Sequence, residues 1–366
     1  MDTSPLILLA AGGTGGHLFP AEALGVELIR RGLRVRLATD SRALRYSGLF
    51  SRETIDVVPS ATVRSRAPWS LAHTGFMLAA GGAVSINLIR RLKPAAVIGF
   101  GGYPTLPPVL TARLLGVPGL IHEANAVLGR ANRFLSRYVS AIATSLPGVL
   151  DRDPALAGKT TTVGTPMRPQ ILAAAAIPYG SPQSAGPFRL LVVGGSQGAR
   201  IMADIVPGAI ERLGPSLWSR LTLTQQVREE DMSRVSAVYE RLKIKAELAP
   251  FFSDLPARLA SNDLVVSRSG AGTVAELAAI GRPSILVPLP GSIDQDQFAN
   301  AGVLAQVNGA LRIAQADFTP DRLAADISTL AAEPGRLVAM AAAARSVGRL
   351  DGAERLADLV MKVAGI

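Results

Sequence analysis

His17 closes the run GGTGGH, Gly12 to His17, which follows the apolar stretch Leu6 to Ala10 and precedes a helical segment containing Pro20. Glycines between a buried strand and a helix let backbone N–H groups approach a ligand, and the helix adds unpaired donors and the positive end of its dipole. Phosphates and sugar hydroxyls suit such a turn. A histidine near a helix N-terminus is biased toward neutral imidazole, so His17 is a candidate general base. Elsewhere a lone histidine would read as a cap or core residue; the glycine setting favours chemistry. A second run, LLVVGGSQG from Leu190 to Gly198, repeats the pattern about half of the 366-residue chain later, so two similar α/β halves facing one another are expected. Neither turn fits G-x-G-x-x-G, since Leu18 is the sixth position from Gly13 and Gln197 the third from Gly195. A nicotinamide or flavin oxidoreductase is therefore disfavoured.

Other polar clusters follow strand-like runs. VIGFGGYPTLPP surrounds Gly99, and HEANAVLGRANR begins at His122. The carboxyl ends of strands line the ligand crevice of an open α/β sheet, which places Gly101, Gly102, Tyr103, His122, Glu123 and Asn125 near His17. His122 and Glu123 fit a structural hydrogen-bonding pair as well as a catalytic role. In SRSGAGTVAEL, Ser267 to Leu277, Gly270 and Gly272 free the backbone, Ser269 and Thr273 offer hydroxyls, and Glu276 suits a pair of ribose hydroxyls. Asp294, Gln295, Asp296 and Gln297 form a further sugar-binding candidate. The two aspartates read as helix caps, because no metal-ligand spacing accompanies them.

Strands are expected at Leu6 to Ala10, Arg34 to Ala38, Thr54 to Val58, Ala96 to Gly99, Gly119 to Glu123 and Ala141 to Thr144. The second half places them at Phe188 to Val193, Leu221 to Thr224, Ala246 to Ala249, Leu264 to Ser267, Ser284 to Val287 and Ala310 to Ile313. Helices are expected near Ala21 to Arg31, Ser70 to Arg91, Leu106 to Leu115 and Ala131 to Tyr138, and at the end Asp321 to Ala332, Arg336 to Ala344 and Ala353 to Val363. This alternation predicts doubly wound parallel sheets with a hinge near Gly164. The Pro/Gly/Ser-rich stretch Ile177 to Pro187 reads as a loop.

With 48% apolar residues the chain is rich enough to bury large cores, and without cysteine it has no disulfide or thiolate metal site. The N-terminus lacks a basic n-region and reads as the first strand rather than a signal peptide. A net charge of +10 calls for anionic partners, yet aromatic residues are only 5%, which argues against nucleic acid and toward lipid or pyrophosphate. Trp69 to Ile89 carries no formal charge and is followed by Arg90, Arg91 and Lys93. It reads first as a wholly buried helix, then as a membrane-surface helix, and least as a bilayer span.

GGTGGHLFPA, GFGGYPT, HEANAVLGRANR, GTPMR, GGSQGA, SRSGAGTVAEL and DQDQFANA, in this order and spacing, resemble the MurG family of bacterial N-acetylglucosaminyltransferases over nearly the whole chain. The resemblance implies a GT-B fold: two Rossmann-like domains, 1–164 and 165–347, with a cleft between them and a C-terminal helix at about 348–366 packing back on the first. It implies inverting transfer of N-acetylglucosamine from UDP-N-acetylglucosamine to the muramoyl 4-hydroxyl of lipid I, giving lipid II and UDP, with no cofactor and no metal in the catalytic step. Donor contacts are then expected from Thr14, Gly15, Gly16, Asn125, Arg168, Ser196, Phe252, Ala271, Gly272, Thr273, Val274, Ala275, Glu276 and Gln297. Arg168 and Ser196 suit the pyrophosphate, Glu276 the ribose, and backbone near Phe252 the uracil. His17 is the expected base, with Glu123 the second candidate.

Two positions depart from the family pattern. Ala124 stands where Gln is common, and Phe252 stands where an aliphatic residue is usual. The resemblance further implies a peripheral protein on the cytoplasmic face of the bacterial inner membrane, held through Trp69 to Arg91 and basic neighbours, with other cell-wall and division proteins as partners. The alternatives are another GT-B enzyme, either a nucleotide-sugar 2-epimerase or a natural-product glycosyltransferase, and a non-catalytic cell-wall scaffold. An epimerase is expected to bring more carboxylates and histidines than a chain with three histidines supplies.

Overall fold

The computed structural model describes residues 4–41, 50–61, 67–151, 153–180, 182–195, 198–292 and 295–366. The chain divides into two compact units, Met1–Arg168 with Leu350–Ile366, and Pro169–Arg349. The division falls at Arg168, slightly beyond the hinge expected near Gly164.

In the first unit the strands are β1 (Leu6–Ala10), β2 (Arg34–Thr39), β3 (Ile55–Val57), β4 (Ala96–Gly99), β5 (Gly119–Glu123), β6 (Ala141–Thr144) and β7 (Thr160–Thr162). All pair in parallel, in the order β3-β2-β1-β4-β5-β6-β7. LILLA of β1 is buried at every position, as a strand covered on both faces must be. Ile7 and Leu9 face one core with Leu24, Leu28, Leu356 and Val360. Leu6, Leu8 and Ala10 face the other with Leu88, Ile89 and Val109. Strand β7 was not expected from the sequence, because TTT is a short, polar, half-exposed edge without an apolar face.

Helix α1 runs from Gly15 to Arg30, so it starts at the glycine turn and not at Ala21. Leu18, Ala21, Leu24 and Leu28 are buried at three- and four-residue spacing, and that packing carries the helix through Pro20. Helix α2 spans Pro68–Leu92, α3 Leu106–Leu114 and α4 Arg130–Leu135. Helix α2 packs on α3, and a Cβ on Gly81 would lie 2.2 Å from the Pro59 carbonyl oxygen and 2.9 Å from Pro107 Cγ, so only glycine permits this approach. The wholly buried reading of α2 is corrected: Leu88 and Ile89 sit in the core, but Trp69 is 77% and Phe76 70% exposed. A 25-residue helix needs one apolar face for the sheet; α2 has a second.

The helix Gly352–Ala364 returns to the first unit and packs on α1. Leu356, Ala357 and Val360 are fully buried there, each large side chain worth roughly 1.5–3 kcal/mol. Arg31 donates to Asp358 and to the Glu354 carbonyl, while Arg30 and Arg31 hold the Glu27 carboxyl down to about 2.

The second unit contains β8 (Phe188–Val193), β9 (Leu221–Gln226), β10 (Lys245–Ala249), β11 (Leu264–Ser267), β12 (Ser284–Leu286) and β13 (Ala310–Arg312). They form a parallel sheet in the order β10-β9-β8-β11-β12-β13. In both sheets the order reverses beside the first strand of the unit, between β1 and β4 and between β8 and β11. The glycine turns leave the carboxyl ends at those switch points, where ligands of doubly wound sheets bind.

Candidate functional site

In the first unit, the turns after β1 and β4 meet around His17. Gly12 N donates to the Gly101 carbonyl at 3.1 Å, and Gly13 N to Asp40 Oδ2 at 3.2 Å. Thr14 is the N-cap of α1 in extended conformation, and its side chain makes no capping hydrogen bond. His17, expected ahead of the helix, lies in its first turn and is half-buried. A Cβ on Gly12 would be 3.0 Å from His17 Cδ2, and one on Gly101 3.1 Å from Cε1 and 3.2 Å from Nδ1. Three glycines, Gly12, Gly101 and Gly102, thus make room for one imidazole. Tyr103 begins the short turn of helix Tyr103–Thr105 that follows.

His122, at the end of β5, is fully buried. Its Nε2 is 3.3 Å from the Gly164 carbonyl and 3.2 Å from Ser145 Oγ, and its ring lies 5.5 Å from Phe100. Burial lowers its pKa to about 4, against the opposing Gly164 hydrogen bond and with help from His17. His122 is therefore neutral at neutral pH and belongs to the fold.

Both oxygens of Glu123 are engaged twice. Oε1 accepts from Asn125 N at 3.0 Å and Asn125 Nδ2 at 2.9 Å; Oε2 accepts from Gly129 N and Asn132 Nδ2, each at 2.9 Å. A carboxylate holding four N–H groups shapes the loop between β5 and α4. That geometry favours a positioning role for Glu123 and orients Asn125. Arg168 stacks its guanidinium 3.8 Å from the Phe19 ring centroid, and Phe19 in turn lies beside Gly15, where a Cβ would be 2.9 Å from its Cε2. Arg168 is thereby carried to the N-terminal end of α1, near Gly15 and the exposed Gly16.

In the second unit, Gly194 and Gly195 follow β8, and a Cβ on Gly194 would lie 2.2 Å from Ala199 N. Ser196 and Asp294 lie outside the described residues. Gly270 caps the helix Ala271–Ile280 without a side-chain bond, so Ala271, Gly272 and Thr273 present a first turn suited to an anion. Val274 is buried, whereas Ala275 and Glu276 are half-buried one turn on. Ser269 Oγ donates to the Gln297 carbonyl at 2.8 Å, and Gln297 Oε1 accepts from Leu289 N at 3.0 Å, which brings the turns after β11 and β12 together. Asp296 accepts from Gln297 N at 2.7 Å, a local bond at the start of the helix Asp296–Gln306. Phe252 is buried, with Arg258 4.4 Å from its ring centroid, so its side chain is engaged in the fold; Phe251 beside it is exposed.

Three positioning residues went unnoticed in the sequence. Asp40 directly follows β2 and accepts from Gly13 N. Arg268 donates to the Val287 and Pro288 carbonyls and to Gln315 Oε1 at 2.6 Å. Gln226 holds the glycine turn after β8. Their common signal is a polar residue at the carboxyl end of an apolar strand.

The glycosyltransferase family 28 N-terminal domain matches residues 7–144, and the family 28 C-terminal domain matches residues 189–356. The chain is 79% identical over 366 residues to the UDP-N-acetylglucosamine--N-acetylmuramyl-(pentapeptide) pyrophosphoryl-undecaprenol N-acetylglucosamine transferase of Bradyrhizobium diazoefficiens, with all of both chains covered. It is 77% identical to the protein of the same name from Nitrobacter hamburgensis, over 100% of this chain and 98% of that one. Among solved structures, Acinetobacter baumannii MurG superposes with a TM-score of 0.77 at 29% identity, over 98% of this chain and 99% of the other.

Proposed function

We propose, because the chain belongs to the MurG family within glycosyltransferase family 28, that it transfers N-acetylglucosamine from UDP-N-acetylglucosamine to lipid I, giving lipid II and UDP. Its two parallel-sheet Rossmann-like units are those of the GT-B fold class. Full-length identity of 79% to a named transferase favours this reaction over the epimerase and scaffold alternatives.

The muramoyl 4-hydroxyl oxygen attacks the anomeric carbon as the bond from that carbon to the β-phosphate oxygen breaks. UDP leaves with the electron pair, the configuration inverts, and His17 takes the hydroxyl proton. The setting of His17 is the observation that carries this role: an imidazole walled by glycines at the carboxyl ends of β1 and β4. Glu123, the second candidate, is better placed to orient Asn125. The donor's pyrophosphate is met by Arg168, Ser196 and the first turn Ala271–Thr273, its ribose by Glu276, its uracil by backbone at Phe252, and its sugar by Asn125 and Gln297. Thr14, Gly15 and Gly16 complete the donor contacts at the first turn of α1. These cationic and helix-terminal donors support a catalytic step without metal.

Helix α2 supports a peripheral seat on the cytoplasmic face of the membrane. It is long and apolar enough by composition to cross a bilayer, yet Leu88 and Ile89 are anchored in the core. Trp69, Phe76 and Val84 remain exposed, with Arg90 and Arg91 at the same helix's end, as an interfacial helix on anionic lipid requires.

The deciding experiment is transfer from UDP-N-acetylglucosamine to a lipid I analogue, with and without chelator, by the unaltered chain and His17→Ala. Transfer that survives the chelator and falls by roughly 10²–10⁴ in the variant is expected. No transfer by the unaltered chain rejects the function, and full activity of the variant rejects the base.

A further inference from the structure

Gln226 stands at the carboxyl end of β9, the strand between β8 and β10. Its amide is buried; both polar atoms hold the turn after β8, and the nitrogen also reaches the loop after β10. Oε1 accepts from Gly194 N at 2.9 Å; Nε2 donates to the Gly195 carbonyl at 3.0 Å and to the Pro250 carbonyl at 3.1 Å. The preceding Gln225 points to the opposite face, where it accepts from Tyr239 and donates to the Met202 carbonyl at 3.4 Å. One glutamine therefore ties helices to the sheet, and the other ties two loops together at the ligand end.

We propose that Gln226 is a positioning residue for the nucleotide-sugar donor, setting the spacing between the glycine turn after β8 and the Pro250–Phe252 backbone after β10. The inference rests on the donor-site reading above, in which the first loop takes pyrophosphate and the second reads the base. A nucleoside diphosphate touches both loops at once, so a bridge that fixes their separation beforehand removes an ordering cost from binding. Gln226→Met keeps the length and loses all three hydrogen bonds. Gln226→Glu keeps the acceptor toward Gly194 and turns a carboxylate toward two carbonyls. Both variants loosen the spacing without touching the reacting atoms, so the loss belongs in donor KM and not in kcat.

The test compares the unaltered chain, Gln226→Met and Gln226→Glu by UDP calorimetry, steady-state transfer kinetics and thermal unfolding. The expected result is a UDP Kd and donor KM raised about tenfold, as loss of net hydrogen bonding at this scale produces, with kcat within about twofold and acceptor KM unchanged. A folded variant with unaltered UDP affinity overturns the bridge alone. Loss of the fold in both variants assigns Gln226 to stability and also overturns it. Failure of the unaltered chain to bind UDP instead removes the donor-site reading itself.

Discussion

The amide of Gly12 donates to the carbonyl of Gly101 at 3.1 Å, and both residues press against the imidazole of His17. Gly101 has φ +94°, so Gly101→Ala brings backbone strain and a methyl 3.1 Å from His17 Cε1. The ring must shift. Transfer by Gly101→Ala is expected to fall on the order of a hundredfold in kcat, with UDP affinity unchanged by calorimetry. Unchanged kcat would separate His17 placement from catalysis.

Glu276 lies one turn into the helix Ala271–Ile280, beyond the anion-binding first turn. Glu276→Ala removes the ribose acceptor, and donor KM is expected to rise about tenfold or more, as for a lost charged hydrogen bond. A control with 2′,3′-dideoxy-UDP should bind the unaltered chain and the variant equally. A variant that still prefers UDP over the dideoxy analogue to the same degree removes the ribose role.

His122 gives the stability of the first unit a defined pH dependence. Its folded pKa of about 4 lies below the ordinary 6.5, so between these values the unfolded chain binds more protons. The contribution of neutral His122 is complete above pH 6.5 and is lost as pH falls toward 4, to a limit of ~3 kcal/mol. Glu27, held down to about 2, loses its contribution in a lower window, as pH falls from 4.5. Denaturant unfolding between pH 6.5 and 4.5 should show this slope, and His122→Gln should flatten it. Parallel slopes for the two proteins would contradict the assignment.

The C-terminal helix is held by apolar burial. Leu356→Ala should cost the first unit about 2–5 kcal/mol in chemical denaturation, while UDP binding by the folded protein stays the same. A smaller loss than that of an exposed-site control such as Ile366→Ala would mean that the packing on α1 is dispensable.

On vesicles containing anionic lipid, Trp69→Ser with Phe76→Ser is expected to weaken binding by roughly 10-fold or more, given the apolar area that two aromatic side chains bury. Transfer to a short-chain, soluble acceptor should be unchanged. Undiminished vesicle binding would exclude this face of α2 as the lipid contact.

The buried strands were legible because sheets covered on both faces demand continuous apolar runs: β1, β4, β5, β6, β8 and β11 have the bounds that their hydropathy marks. Strand β7 was hidden because its three threonines belong to a half-exposed edge. Strand β9 runs two residues beyond the expected Thr224, since Gln225 and Gln226 resemble a strand end until their partners are in place. Helix α1 begins at Gly15 and not near Ala21, because burial of Leu18 and Leu24 carries it back to the glycine turn in the folded chain. The glycine turns that meet around His17 showed in the sequence alone. The four donors of Glu123 did not, because Gly129 and Asn132 reach it only through the folded loop.

The return of Gly352–Ala364 to α1 also imposes an order on the birth of the protein. A ribosome releases β1 to β7 first, then all of Pro169–Arg349, and only afterwards the helix that covers Leu24 and Leu28. The second unit is complete while the first still shows an open apolar groove, the kind of surface that nascent-chain chaperones shield. Synthesis of the earliest part of the chain is thus finished long before its folding is.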